Sequence, residues 1–171
     1  MKIKKRVILS ITILILAIVV IIVVGVNNMR PEKALNTFLE QIEQGNINNI
    51  RLTIYYMNPN ILTPFALNIK DLINHPQTQK LIIDGVQLAE HIDLFKKINY
   101  VDLIPVDYKY LMDARIHYVF ENNRGRKIFD VTFSGFLEND NHCEIIFING
   151  KAFEINDIFN NIIEPFVSEV R

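Results

Sequence analysis

The side chains with the most chemical potential are one cysteine and four histidines. Cys143 stands next to His142, and a thiol nucleophile needs a depressed pKa, a base in reach and a group to orient that base. Neighbouring residues on a strand point to opposite faces, so His142 is poorly placed to serve Cys143. His117, on a strand that can lie alongside, is the alternative base if the register allows. Alternation sets it opposite Ile116, Tyr118 and Phe120, which predicts a surface position. The competing expectation, that Cys143 is simply a small strand residue, is the one adopted.

The remaining candidates are dispersed. His75, His91, His117 and His142 do not follow a metal-ligand spacing, and the pair His91 and Asp93 needs a distant third ligand. Glu138-Asn139-Asp140-Asn141 is rich in oxygen donors for Ca²⁺ but lacks the length and spaced carboxylates of a calcium loop, so a polar hairpin turn is expected. Arg124, Arg126 and Lys127 form a basic hairpin tip that either meets an anionic wall polymer or lipid headgroup or is a solvated turn. Tyr55, Tyr56, Tyr108 and Tyr110 suggest an amphipathic surface or the mouth of a cone-shaped pocket. Tyr55 and Tyr56 cannot share a strand face, so one belongs to the core and one outside it. The six glycines are scattered as turn residues, and no phosphate loop, H-E-x-x-H or G-x-S-x-G motif is present. No catalytic, cofactor-binding or metal-ligating residue is assigned, and no cofactor is expected.

These side chains need elements to position them. Pro31–Gln44 reads as an amphipathic helix, with Pro31 at its start, a stripe of Ala34, Leu35, Phe38, Leu39 and Ile42, and Gly45 as a stop. Ile50–Met57 reads as a strand. Asn68 with Asp71 opens a short helix that Pro76 ends, and Lys80–Ile83 is a short strand. Asp84 and Gln87 form a capping box for a helix with Leu88, Ala89, Ile92, Phe95 and Ile98 inward. Tyr100–Asp113 is expected to be extended, edge or loop because of Pro105. A meander follows: Ala114–Glu121, Arg126–Phe136, His142–Ile148 and Lys151–Ile155, with Asn149-Gly150 as a two-residue hairpin turn. Ile116, Tyr118, Phe120, Phe129, Val131 and Phe133 share one face. Asn156 caps a closing helix, with Ile158, Phe159, Ile162 and Ile163 inward, that Pro165 ends. The expected class is α+β: an N-terminal transmembrane helix, then an antiparallel sheet packed with helices on one face.

The span Val7–Val26 carries no charge, and about 20 residues cross a ~30 Å hydrocarbon core. Lys2, Lys4, Lys5 and Arg6 precede it, whereas only Arg30 follows closely, which places the N-terminus in the cytoplasm. The core is longer than a signal peptide's and no A-x-A site follows it, so an uncleaved signal anchor is expected. The layout is thus a cytoplasmic basic tail (1–6), an anchor (7–26) and one extracytoplasmic domain (27–171). Four of the 18 Lys and Arg residues precede the span, leaving 14 against 19 Asp and Glu, a formal net of −5 outside. Such a domain is a poor partner for nucleic acid. With one cysteine it has no internal disulfide, so stability rests on the core.

The leading helix before a curved sheet resembles cystatin-like and nuclear-transport-factor-like cone folds. With the anchor, YYMNPN, ARIHYVF and IFINGKAFE, the whole chain looks like small single-pass outer-surface proteins of Gram-positive bacteria, families largely without assigned function. The resemblance carries over no catalytic residue. The expected role is a membrane-anchored, non-enzymatic binding or adaptor module for a protein or envelope component. The alternative is a small hydrolase or isomerase with a dispersed site in a cone-shaped pocket. A deep pocket holding a carboxylate or histidine favours the enzyme, and a flat exposed apolar or aromatic patch favours binding.

Overall fold

The computed structural model describes residues 30–58, 60–109, 111–134, 137–138, 141–142, 145–154 and 157–167, together with Thr12 and Ile15. The expected anchor, Val7–Val26, otherwise lies outside the described residues. Among the described residues no helix is long and apolar enough to cross a membrane.

Helix α1 spans Pro31–Glu43 and buries Pro31 together with Ala34, Leu35, Phe38 and Ile42 of the expected stripe, while Leu39 is half-buried. Gly45 stops it at φ 72°, a left-handed conformation that a Cβ disfavours. A 3-10 turn over Asn46–Asn49 then feeds strand β1, Ile50–Tyr56. Asn68 accepts a hydrogen bond from the Asp71 backbone N–H and opens α2, Ile69–Asn74. After Pro76 comes β2, Gln79–Ile83. Asp84 Oδ1 accepts from Val86 and Gln87, and Gln87 Oε1 accepts from Asp84 N–H, completing the expected capping box.

The helix beyond that box differs from expectation. It is two short pieces, α3 (Gly85–Ala89) and α4 (Ile92–Phe95). His91 leaves helical geometry at φ −115°, ψ 19°, and its N–H reaches back only three residues, to Leu88. Leu88, Phe95 and Ile98 still reach the core.

The meander comprises β3 (Ala114–Asn122), β4 (Lys127–Ser134), β7 (Ile145–Ile148) and β8 (Lys151–Glu154), all antiparallel. Asn149 and Gly150 turn the last hairpin at φ 48° and 78°, the signs a primed two-residue turn requires. The expected strand His142–Ile148 is interrupted. Asn141–His142 (β6) instead pairs with Leu137–Glu138 (β5) as a separate ladder, so only Ile145–Ile148 joins the main sheet. Helix α5, Asp157–Val167, contains Pro165 rather than ending before it. The proline sits in the last turn, where it costs one backbone bond, and Phe166 beyond it packs edge-on against His91 at 5.0 Å. Asn156, the expected cap, and the side chain of Ile163 lie outside the described residues.

The strands form one six-stranded sheet in the order β2-β1-β3-β4-β7-β8. Its first face holds Leu52, Ile54, Tyr118, Phe120, Phe129, Val131 and Phe133 against α1, α3, α4 and α5. Phe38 of α1 sits at the centre, its ring 4.7 Å from Phe120, 4.9 Å from Phe129 and 5.8 Å from Phe95. The helices do not all lie there, however. Leu72 of α2 and the segments around Met57, Leu67, Val106, Tyr108 and Met112 pack on the second face. The segment 104–106 also runs beside β8, as the edge role expected for Pro105 requires.

Candidate functional site

The antiparallel pairings, with register shifts in β3–β4 only on either side of His117, carry one row of side chains across the second face: Lys80, Tyr55, His117, Thr132, Phe147 and Ala152. Its centre is polar. His117 Nδ1 lies 2.9 Å from Thr132 Oγ1. The Tyr55 ring stacks on His117 at 6.2 Å, and Lys80 Nζ stands 5.6 Å from the Tyr55 centroid. His117 was expected at the surface, and it is only 3 % exposed. The alternation places it on the second face as expected, but apolar clusters cover that face on both sides. One joins Tyr55, Met57 and Leu67, the other Tyr108, Phe147 and Ala152, and Met112 packs against both.

Burial lowers the His117 pKa from 6.5 to about 4. Asp130 opposes the shift and Lys127 adds to it. The ring is therefore neutral at pH 7. Tyr56 is buried and Tyr55 half-buried, so the two tyrosines divide between faces as expected. Tyr118, on the first face, is wholly buried, its hydroxyl has no hydrogen-bond partner among the described residues, and burial raises its pKa well above the ordinary value.

A second constellation lies at the end of the sheet where β1 leaves and β3 enters. Arg115 Nη2 donates to Asp113 Oδ2 at 2.7 Å, and its Nη1 and Nη2 reach Ile61 O and Thr63 Oγ1. Asp113 Oδ1 accepts from Leu67 N–H at 2.9 Å, and Ala114 N–H donates to Leu67 O. The staple ties the loop after β1 to the start of β3. From these two connected segments project Leu62, Phe65 and Leu111, respectively 89 %, 80 % and 78 % exposed. No charged residue occurs between Arg51 and Lys70. The part of that uncharged run beyond β1 is the sequence signal for Leu62 and Phe65, and it has neither helical nor strand periodicity.

At the opposite end, a shallow cleft of about 190 Å³ is lined by Asn48, Asn49, Arg51, Asp84, Asn122 and Asn123 among others. Arg51 is bonded to Glu121 at 2.7 Å, and Asp84 is occupied as a helix cap.

The other candidates are not brought together. Cys143, Asn139, Asp140 and Tyr110, and the side chains of Glu138, Asn141 and His142, lie outside the described residues. His91 packs on Phe166, while Asp93 pairs with Lys96 at 3.7 Å. His75 Nδ1 accepts from Gln77 N–H. Among the described residues no three His, Cys, Asp or Glu side chains gather as a metal site. Arg124 and Arg126 are exposed on the β3–β4 turn, and Lys127 pairs with Asp130 at 2.9 Å. Tyr108 donates to Leu111 O and packs on Phe147. No protein-family model, curated protein or solved structure matches the chain.

Proposed function

We propose that this chain is a single-pass membrane protein whose outer α+β domain is a non-enzymatic binding or adaptor module for a protein or envelope component. The observation that carries the reading is the apolar loop end: Leu62, Phe65 and Leu111 stand in solvent on segments clamped by Arg115 and Asp113. A contiguous exposed apolar patch marks an interaction surface, and the clamp holds together the two segments that carry these side chains. The enzyme alternative needs a deep pocket with a titratable group. The described cleft, about 190 Å³, is below the ~300–1,000 Å³ of ordinary ligand pockets, and its carboxylate, Asp84, is occupied as a helix cap.

The anchor proposal rests on the uncharged run Val7–Val26 and the basic residues before it. Thr12 and Ile15 are helical, and Ile15 is 56 % exposed, which suits a lipid-facing side chain. The cone-fold likeness is part of the same proposal, supported by α1 packing on the sheet.

The test is crosslinking of the full-length protein in its own membrane, followed by mass spectrometry, for the wild type and a Phe65→Asp/Leu111→Asp variant. The expected result is a reproducible partner with the wild type that the variant loses. Recovery of the protein alone, or of the same partner with both, would overturn the reading.

A further inference from the structure

The two edges of the sheet are treated differently. At β8 the edge is closed: Val106 N–H donates to Ala152 O at 3.1 Å, Glu154 N–H donates to Ile104 O at 2.9 Å, and Pro105 bridges to Phe153. Proline has no N–H, so the covering segment cannot hand the full pairing on to a further strand. At β2 the edge is open among the described residues. β2 pairs with β1 on one side, and its outward N–H and C=O groups have no backbone partner among the described residues. The strand holds no proline, and its register with β1 is unbroken over five pairs. Gln79, Lys80 and Ile82 are exposed, Ile82 by 57 %.

We propose that β2 is a docking edge that an extended segment of a partner protein joins as a seventh strand. This deepens the adaptor reading and rests on it. Water satisfies these outward N–H and C=O groups in the free protein, and an extended backbone is the partner form that can replace it group for group, so hydrogen bonding identifies the form of the partner. The side chains on the second face identify its composition. Lys80 and Ile82 lie two residues apart on that face, and cross-strand neighbours of opposite charge or matched apolar character stabilise a pair. An antiparallel guest therefore presents an apolar residue opposite Ile82 and, two residues later, an acidic residue opposite Lys80. A second copy of this chain is a poor occupant. Two-fold pairing about Leu81 sets each Lys80 against the other copy's isoleucine, with no counter-charge. A lysine on an edge strand deters such self-pairing but admits an acidic guest.

The experiment pans random ten-residue peptides against the full-length protein in detergent micelles, using the wild type, Lys80→Glu and Ile82→Thr. Hydrogen exchange of the β2 amides is then followed with and without the selected peptides. The wild type is expected to enrich apolar-x-acidic peptides, and Lys80→Glu to exchange the acidic preference for a basic one. Ile82→Thr should weaken the apolar preference, and a bound peptide should slow exchange over Gln79–Ile83 roughly tenfold or more. No enrichment, a preference indifferent to residue 80, unchanged β2 exchange, or a particle of doubled mass with β2 protected would each overturn the proposal. The adaptor reading is judged separately, because partner loss on Phe65→Asp/Leu111→Asp is read without altering β2.

Discussion

Asp113 and Arg115, two residues apart where β3 begins, join side chains at 2.7 Å and between them hold the loop after β1 through Ile61, Thr63 and Leu67. Both are nearly buried, Asp113 at 13 % and Arg115 at 12 % side-chain exposure. Removing one partner leaves the other charge buried and the loop carbonyl unpaired. Arg115→Leu is expected to cost about 3 kcal/mol, in the range for breaking a buried pair. It should also expose the loop to protease, and denaturant unfolding with limited proteolysis checks both effects. An unchanged midpoint and an uncut loop would show that the clamp contributes nothing.

His117 makes stability depend on pH. Its folded pKa, about 4, lies below the unfolded value near 6.5. The unfolded chain therefore takes up the proton first. The stabilisation is complete above pH 6.5, falls as the pH drops, and stops falling below about 4. From pH 7 to pH 5 the loss is about 2 kcal/mol. His117→Gln should flatten that slope whatever it does to stability at pH 7, and urea midpoints at several pH values would show it. An equal slope in both proteins would place the titration elsewhere.

Phe38 touches Phe95, Phe120 and Phe129 at ring separations of 5.8 Å or less. Truncating a buried phenylalanine combines lost transfer energy with a cavity, so Phe38→Ala should cost about 3–5 kcal/mol. Thermal unfolding measures it, and a loss under 1 kcal/mol would mean that α1 does not anchor the core.

Gly85 packs so closely on the 3-10 turn that a Cβ would lie 2.4 Å from Asn48 Cα and 2.5 Å from Ile47 O. Both are backbone atoms and cannot swing aside. Gly85→Ala is expected to destabilise by about 1–3 kcal/mol, the usual cost of overpacking. A neutral result by calorimetry would require α3 to shift freely.

Local signals were legible in the sequence. The Asp84 and Gln87 box, the Asn149-Gly150 turn and the α1 stripe each depend on residues within one or two turns of chain, so spacing alone reveals them. Distant packing was not legible. Alternation put His117 on the face opposite Tyr118, but whether that face meets water depends on segments such as Leu67 and Met112, brought there by tertiary contacts. The break at His91 brings a second example, since its ring meets Phe166 from the far end of the chain, a contact that spacing does not reveal. Leu62 and Phe65 were overlooked because their exposure follows from the Arg115 clamp, a contact across more than 50 residues.

The central claim is that the apolar loop end meets a partner. A photoactivatable residue placed at position 65 of the full-length protein, compared with one at position 124 on the far turn, tests this most directly. The account predicts a discrete adduct from position 65 that disappears on Leu62→Asp/Leu111→Asp, and none from position 124. Identical products from both positions, or none from position 65, would contradict it.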